Sequence, residues 1–509
     1  SSRTVPLYMG DDTTDEDAFR AIGERGIGIL VSDRDKETAA RYRVNDPSEA
    51  AEVLEELLKL AERESSTNVW SLTYEGFEPD SEKLREALCT TGNGYFATRG
   101  AAPEAAAGDV HYPGTYIAGI YNRLKSHVAD HTIENESMVN APNWLPLNFR
   151  IEDEDWFALE SVHILQYRQE LDMHHGVLER AVQFEDERKR RTRLTQRRFV
   201  HMRYPHLAGL ETTILPESWS GTLQIRSGLD GRVENTLVKR YRQLNNRHLN
   251  HLECDGDDDL IWIEVETNQS HIRIAEAART EIFHRGRMIQ PPCEVVVEEG
   301  GYIAQQFNMD VEVGQPLRIE KIASVYTSKE AAVSESLLEA RTALRHADAF
   351  GELLESHTLA WEHLWARWRI DIRAQSPRIE QILNLHIFHL LQTVSPNTVD
   401  LDVGVPPRGL HGEAYRGLIM WDELFIFPLL NLRIPDITRA LLKYRYRRLP
   451  HAIWAAEAAG YRGAMFPWQS GSNGQEQAQT LHLNPESGRW IPDNSQLERH
   501  INIASVYNV

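Results

Sequence analysis

The sequence predicts a multidomain chain: a short α/β segment, a large antiparallel β-sandwich, a helical linker, and a helical region arranged as an α/α barrel or a helical repeat array. Three observations predict it. Residues 4 to 62 alternate strand and helix patterns; from Trp70 to about Thr327, short β-branched and aromatic runs are broken by Gly, Pro, Asn and Asp; and from Ser328 onward the apolar period becomes helical. The predicted boundaries are 1–66, 67–327, 328–375 and 376–509. At 509 residues the chain far exceeds the roughly 100–200 usual for one domain, so each large part can bury a core.

In the first part, Val5–Met9 and Gly26–Val31 read as strands, Glu16–Gly23 as a helix, and Pro47–Arg63 as a helix with Ala50, Val53, Leu54, Leu57 and Leu58 at helical spacing. Such alternation is expected at the edge of a parallel sheet. Glu62–Asn68 is polar and reads as a linker. In the second part, Gly221–Ser227, Asp259–Glu266, Ser270–Ala275 and Glu294–Glu298 are representative strands of a sandwich. Ser334–Ala347 is an amphipathic helix of the linker. Ile379–Thr393, Trp421–Leu430, Pro435–Tyr446 and His451–Ala459 are successive helices separated by Gly- and Pro-rich loops.

Composition excludes several function classes. The chain is 41% hydrophobic and 26% charged, with no apolar run near the ~18 residues a membrane span requires, so no membrane partner is expected. A net charge of −21 repels phosphate backbones, which argues against nucleic acid. The basic run Glu187–Arg193 sits between apolar stretches and reads as a hairpin surface. Three widely spaced cysteines, Cys89, Cys254 and Cys293, do not make a disulfide framework and fit a reducing cytoplasm. The first ten residues contain neither an initiator methionine nor a signal-peptide apolar core, so the chain is expected to be cut from a longer one.

Gly10-Asp-Asp-Thr-Thr-Asp-Glu-Asp-Ala-Phe19 places carboxylates between a strand and a helix, where α/β folds bind ligands and hard oxygen donors suit Mg²⁺. Acids at a helix start also complement the helix dipole. The string resembles the fourth motif of haloacid-dehalogenase-like phosphatases, in particular trehalose-6-phosphate phosphatases. That resemblance covers about the first 62 residues. It implies Asp11 and Asp15 as Mg²⁺ ligands in an intact phosphatase module, with Asp12 behind them; the nucleophilic aspartate would lie before Ser1, leaving this segment inert.

In the sandwich region, Leu88–Gly100 sets Gly92 and Gly94 around Asn93, a sign of a tight turn or close backbone approach. Tyr112–Asn122 and Val139–Leu147 combine aromatics with turn residues, which in a sandwich are usually core. With Glu170–Leu178, Pro216–Gly221 and Ser227–Val233, these strings resemble the amino-terminal domain of glycoside hydrolase family 65, the maltose, trehalose and kojibiose phosphorylases and acid trehalases. The resemblance runs from about Trp70 to the end. It implies a β-sandwich without catalytic groups, packed against an (α/α)6 barrel of which only the first part is present.

Gly409–Glu423 leads a Gly-rich backbone into a helix carrying Trp421 and Asp422, an apolar plate beside a carboxylate. Sugars offer an apolar face and a rim of hydroxyls, which such a pair can bind; barrel core and a helix-start acid would use the same residues. The family resemblance implies that Trp421 and Asp422 contact a glucosyl unit, and that Trp468, in Met465–Asn473, lies near the same pocket. Glu423 stands where relatives often have Thr. No catalytic residue is assigned: the family's general acid lies in a Gly-Pro-Asp-Glu-Tyr-His-like string expected beyond Val509, and Glu413, Glu423, Glu476 and Glu498 receive no role.

The resemblance therefore implies a parent enzyme that cleaves an α-linked glucosyl disaccharide such as trehalose, maltose or kojibiose with inversion. No cofactor is expected for the glycosidase part, and inorganic phosphate is the co-substrate if it is a phosphorylase. Mg²⁺ belongs only to an intact phosphatase module. The alternatives are a non-catalytic carbohydrate-binding module and a trehalose-6-phosphate phosphatase with an appended sugar-binding region. A homodimer is compatible with all of them.

Overall fold

A computed structural model describes residues 6–12, 14–23, 26–34, 36–55, 68–128, 130–372, 376–484 and 486–508. The carboxyl-terminal part of the helix expected at Pro47–Arg63, and nearly all of the linker expected at Glu62–Asn68, lie outside the described residues; residues 47–55 are helical. The chain divides into two compact units, Ser1–Trp70 with Ile370–Leu385, and Ser71–Arg369 with His386–Val509.

In the first unit, strands Leu7–Gly10, Ile27–Val31 and Tyr42–Val44 form a parallel sheet, with Leu7 opposite Ile27 and Ile29 opposite Tyr42. Helix α1 (Glu16–Ile22) follows the first strand and buries Phe19. Ile29, Val44 and Ala50 make a small core, in keeping with strands that are short and few.

The second unit opens with a large antiparallel β region. Its main sheet runs, edge to edge, through Leu249–Gly256, Leu260–Thr267, Arg273–His284, Leu317–Thr327, Leu207–Pro216, Arg191–Val200, Val177–Glu185, His163–Asp172 and Ser71–Glu75. A second sheet pairs Cys293–Glu298, Tyr302–Val311, Gly221–Asp230 and Leu147–Ile151. Alternate residues of both sheets, such as Val182, Leu194, Ile214 and Ile319 against Leu223, Ile225, Ile303 and Phe307, fill one shared core, which period-two alternation requires. The strand expected from Ser270 begins at Arg273, because His271 takes φ +53° in the preceding turn. The third sheet, which includes the long hairpin Thr115–Val128 and His131–Ala141, buries Tyr116, Tyr121 and Met138 beside Leu410 and Leu418 of the later, helical part.

The Asn93 motif is a close approach. Gly94 has φ +87°, and a Cβ there would lie 2.5 Å from Ser395 Oγ, while Asn93 Nδ2 donates to the carbonyls of His201 and Pro205. The basic run is a hairpin whose cations are matched within the fold: Arg188 and Arg190 bond Glu152 and Glu154, Lys189 and Arg191 pair with Glu185, and Arg193 pairs with Glu217. All three cysteines are free, and Cys89 is buried.

Helices α2 (Glu82–Leu88), α3 (Ser336–His346) and α4 (Phe350–Trp368) serve the β region. On α4 the helical period places Phe350, Leu353, His357, Trp361, Leu364, Trp365 and Trp368 on one buried stripe. Trp365 Nε1 donates to Met173 O at 2.8 Å. Helix α5 (Pro377–Thr393) starts the last region, followed by α6 (Glu423–Arg433), α7 (Pro435–Arg447), α8 (Leu449–Ala458) and α9 (Ile501–Asn508). Pro435 and Pro450 occupy first-turn positions, where the missing N–H costs nothing. No helix among the described residues is long and apolar enough to cross a membrane.

Candidate functional site

The loop entering α6 is held from below before it presents any side chain. Glu413 is buried; Tyr112 donates to its Oε1 at 2.5 Å, Tyr116 to the same oxygen at 3.1 Å, and the Leu237 N–H to its Oε2 at 3.0 Å. Burial pushes its carboxyl up to about 7. Tyr415 and Arg416 follow with φ of +54° and +56°, a costly conformation for residues with a Cβ. The buried Arg416 guanidinium offsets that cost by bonding Asn135 Oδ1 and the carbonyls of Glu136 and Gln477.

One clamp joins the expected sugar-binding segments, and further contacts fix each of them in place. Ile419 and Ser470 exchange backbone hydrogen bonds of 2.8 Å each way, tying the Trp421 segment to the Trp468 segment. Glu423 is buried, takes an N–H from Val405 at 2.9 Å, and is bonded by Arg445 at 2.8 Å. On the other segment, the backbone at Gly471 runs so close to Glu136 that a Cβ would sit 1.9 Å from its Oε2. Glu476 accepts the N–H groups of Trp468, Gln469 and Ala478 at 2.7, 3.1 and 2.9 Å.

The result is an aromatic cluster with a carboxylate at its edge. The rings of Trp421 and Trp468 lie 5.9 Å apart at 23°, and His500, just before α9, is 5.2 Å from the first and 4.7 Å from the second. Phe425 meets Trp421 edge-on at 4.9 Å and is otherwise exposed. Asn502 Oδ1 accepts the Phe466 N–H at 2.7 Å, joining α9 to the Trp468 loop. Asp422 is the N-cap residue of α6, yet its side chain makes no capping bond, and it is half-exposed. A helix-start acid whose carboxylate is not spent on the helix is free to accept hydroxyl donors.

Trp421, Asp422 and Trp468 thus converge from two segments, and the sequence reading missed His500, whose lone imidazole carries no periodic signal. Glu413, Glu423 and Glu476 all spend their oxygens on the fold, and Glu498 lies 3.3 Å from His500. In the first unit, carboxylate oxygens of Asp11, Asp12 and Asp15 lie within 4.8 Å of one another. Asp15 Oδ2 accepts the N–H of Asp11 and Asp12, its Oδ1 takes the Tyr8 hydroxyl at 2.7 Å, and Asp12 Oδ1 takes Thr14. The donor type suits Mg²⁺, but most of these oxygens already serve the loop, leaving the Asp11 carboxylate and Asp12 Oδ2.

Comparison with known proteins agrees with this architecture. The N-terminal domain of glycosyl hydrolase family 65 matches residues 72–364, and the central catalytic domain of that family matches residues 384–509. The chain belongs to glycosyl hydrolase family 65. An uncharacterised glycosyl hydrolase of Mycobacterium tuberculosis is 45% identical over 99% of this chain and 38% of its own length. A trehalose 6-phosphate phosphorylase of Lactococcus lactis is 32% identical over 86% of the chain and 55% of its own. A solved structure named for kojibiose phosphorylase, from the human microbiome, superposes with a TM-score of 0.71 at 19% identity, covering 81% of this chain and 53% of its own, which shows the common fold. The chain spans between about two-fifths and just over half the length of these relatives.

Proposed function

We propose that the protein to which this chain belongs cleaves an α-linked glucosyl disaccharide with inversion, by phosphorolysis or hydrolysis, and that Trp421, Asp422 and Trp468 belong to its glucose subsite. One observation carries the reading: Asp422 stands at the head of α6 with its carboxylate making no bond among the described residues, beside two indoles that backbone bonds between Ile419 and Ser470 hold in one cluster. An apolar plate and a charged acceptor of paired hydroxyls are what a pyranose needs. Membership of family 65, and relatives named for trehalose 6-phosphate and kojibiose phosphorolysis, support glycosyl transfer to phosphate over a purely binding role. The helices α5 to α9 are then the first part of an (α/α)6 barrel. Of the expected ligands Asp11 and Asp15, Asp11 has its carboxylate available, together with Asp12 Oδ2, while Asp15 orders the loop; these oxygens would hold Mg²⁺ only within an intact phosphatase module, where the metal supplies charge neutralisation for a phosphate ester.

The test uses the full-length protein with trehalose, kojibiose, maltose and trehalose 6-phosphate, each with and without inorganic phosphate. Formation of glucose 1-phosphate identifies phosphorolysis, and phosphate-independent release of glucose identifies hydrolysis. Asp422→Ala leaves a sugar hydroxyl pair without its charged acceptor and lowers kcat/KM by roughly one to two orders of magnitude, the ~1.5–3 kcal/mol of a hydrogen bond to a charged group. An unchanged kcat/KM removes Asp422 from the subsite.

A further inference from the structure

Three sandwich motifs that the proposed reaction does not use meet at one place. Pro113 of Tyr112–Asn122, Asn140 and Asn143 of Val139–Leu147, and Asp230 of Ser227–Val233 line an open cleft of about 450 Å³ on the β region. That volume falls in the range of roughly 300–1,000 Å³ typical of small-molecule sites. Trp156 and Tyr302 supply its aromatic walls.

The indole of Trp156 is mounted rather than buried. Arg226 and Arg150 lie 4.5 and 5.2 Å from its ring centre. Strands Leu147–Ile151 and Gly221–Asp230 pair with Arg226 opposite Asn148 and Gln224 opposite Arg150, so both guanidiniums rise from the same outward face of the sheet. The indole therefore rests on a cationic floor, and its remaining surface is shared between this cleft and an adjoining one beside Phe149 and Phe157. Trp156 Nε1, Asn143 Nδ2 and the Tyr302 hydroxyl make no hydrogen bond among the described residues, which leaves three polar groups without protein partners around one cavity.

The charges on the walls are already matched. Glu104 is bonded twice by Arg180, Asp230 holds Arg232 in a fork at 2.8 and 2.9 Å, Arg247 lies 2.8 Å from Glu234, and Arg226 faces Glu298. A cleft with an aromatic platform, unspent amide, indole and phenol groups, and lining arginines that each face a carboxylate suits a neutral polyhydroxylated ligand. Arg150, which bonds the neutral Gln224 beneath the indole, is not among the residues that line the cleft. We infer that the sandwich carries a second saccharide-binding site, distinct from the Trp421 cluster, in which a neutral mono- or disaccharide packs on Trp156 and bonds Asn143 and Tyr302.

The cleft also has a short mechanical route to the barrel segment. Its wall at Thr236 donates its N–H to the Tyr112 hydroxyl, which in turn donates to Glu413 of the loop that enters α6. A sugar seated there would press on the scaffold of that loop without touching Trp421 or Asp422.

The test is isothermal titration of the chain with trehalose, repeated in Trp421→Ala so that failure of the barrel subsite and failure of this site read differently. Expected are saturable binding that survives Trp421→Ala, a loss of about tenfold in affinity in Trp156→Ala, and a several-fold loss in Tyr302→Phe, which keeps the ring's packing. Unaltered circular dichroism of both cleft variants accompanies the loss. Binding abolished by Trp421→Ala and untouched by both cleft variants overturns the inference, as does the absence of saturable binding. Trehalose 6-phosphate binding as tightly as trehalose through Trp156 overturns the assignment to neutral sugars.

Discussion

Acidification should release α4 from the sandwich by way of two buried histidines. His357 on α4 and His201 at the end of its strand have no exposed surface. The Met202 N–H donates to His357 Nδ1 at 3.0 Å and His357 Nε2 donates to Gly176 O at 3.1 Å, while the Arg203 and Tyr204 N–H groups donate to His201 Nδ1 and its Nε2 faces Ser356 Oγ at 3.0 Å. Each Nδ1 therefore accepts, and a proton placed there would point at an N–H. Burial pushes His357 down to about 3 and His201 down to about 4, from 6.5. Because the folded values are depressed, the unfolded chain binds the extra protons; stability is full above about 6.5 and falls as pH drops toward the folded values. Between pH 7 and pH 5 each histidine costs about 2 kcal/mol, from 1.36 kcal/mol per unit over the 1.5 units below 6.5. His357→Asn keeps an acceptor for Met202 and cannot titrate. Urea unfolding followed by intrinsic tryptophan fluorescence, to which Trp361, Trp365 and Trp368 of α4 contribute, should show the variant weaker at pH 7, yet losing about 2 kcal/mol less than the native chain on going to pH 5. An equal loss in both proteins would refute the histidine clasp.

Two other perturbations follow from the same accounting. Glu413 has a folded value raised to about 7 from 4.5, so its ionisation opposes folding as pH rises through that window; the stability of Glu413→Gln relative to the native chain should improve by about 2.5 kcal/mol between pH 5 and pH 8, and a constant difference in urea midpoints would show that Glu413 stays ionised. Gly471→Ala drives a methyl to 1.9 Å from Glu136 Oε2, and should cost about 1–3 kcal/mol in thermal unfolding; Glu136→Ala in the same chain should recover part of it, whereas a neutral Gly471→Ala would mean the backbone moves freely there.

What could be read before any coordinates were those features that depend on neighbours along the chain. Helices α3 and α5 to α8 lie within a few residues of their expected bounds because amphipathic period and proline at the first turn are local properties, and the change from period-two strands to helices near Ser328 is a change of local pattern. The family likewise rests on contiguous strings, and Trp421, Asp422 and Trp468 came from such strings. Sheet order did not: nothing near Leu207–Pro216 announces that it lies between Arg191–Val200 and Leu317–Thr327, since pairing is chosen by burial across the whole domain. The same holds for individual side chains. Asp422 and Glu413 look alike in the sequence as carboxylates of one loop, but Glu413 is buried between Tyr116 of a distant hairpin and Tyr112 just before it, and Asp422 is left half-exposed with no hydrogen-bond partner among the described residues, so only the packing separates the structural acid from the candidate ligand. His500 joined the cluster for a similar reason: a single imidazole has no period to reveal it, and it acquires a role only where two indoles, brought together by the Ile419–Ser470 bridge, close around it.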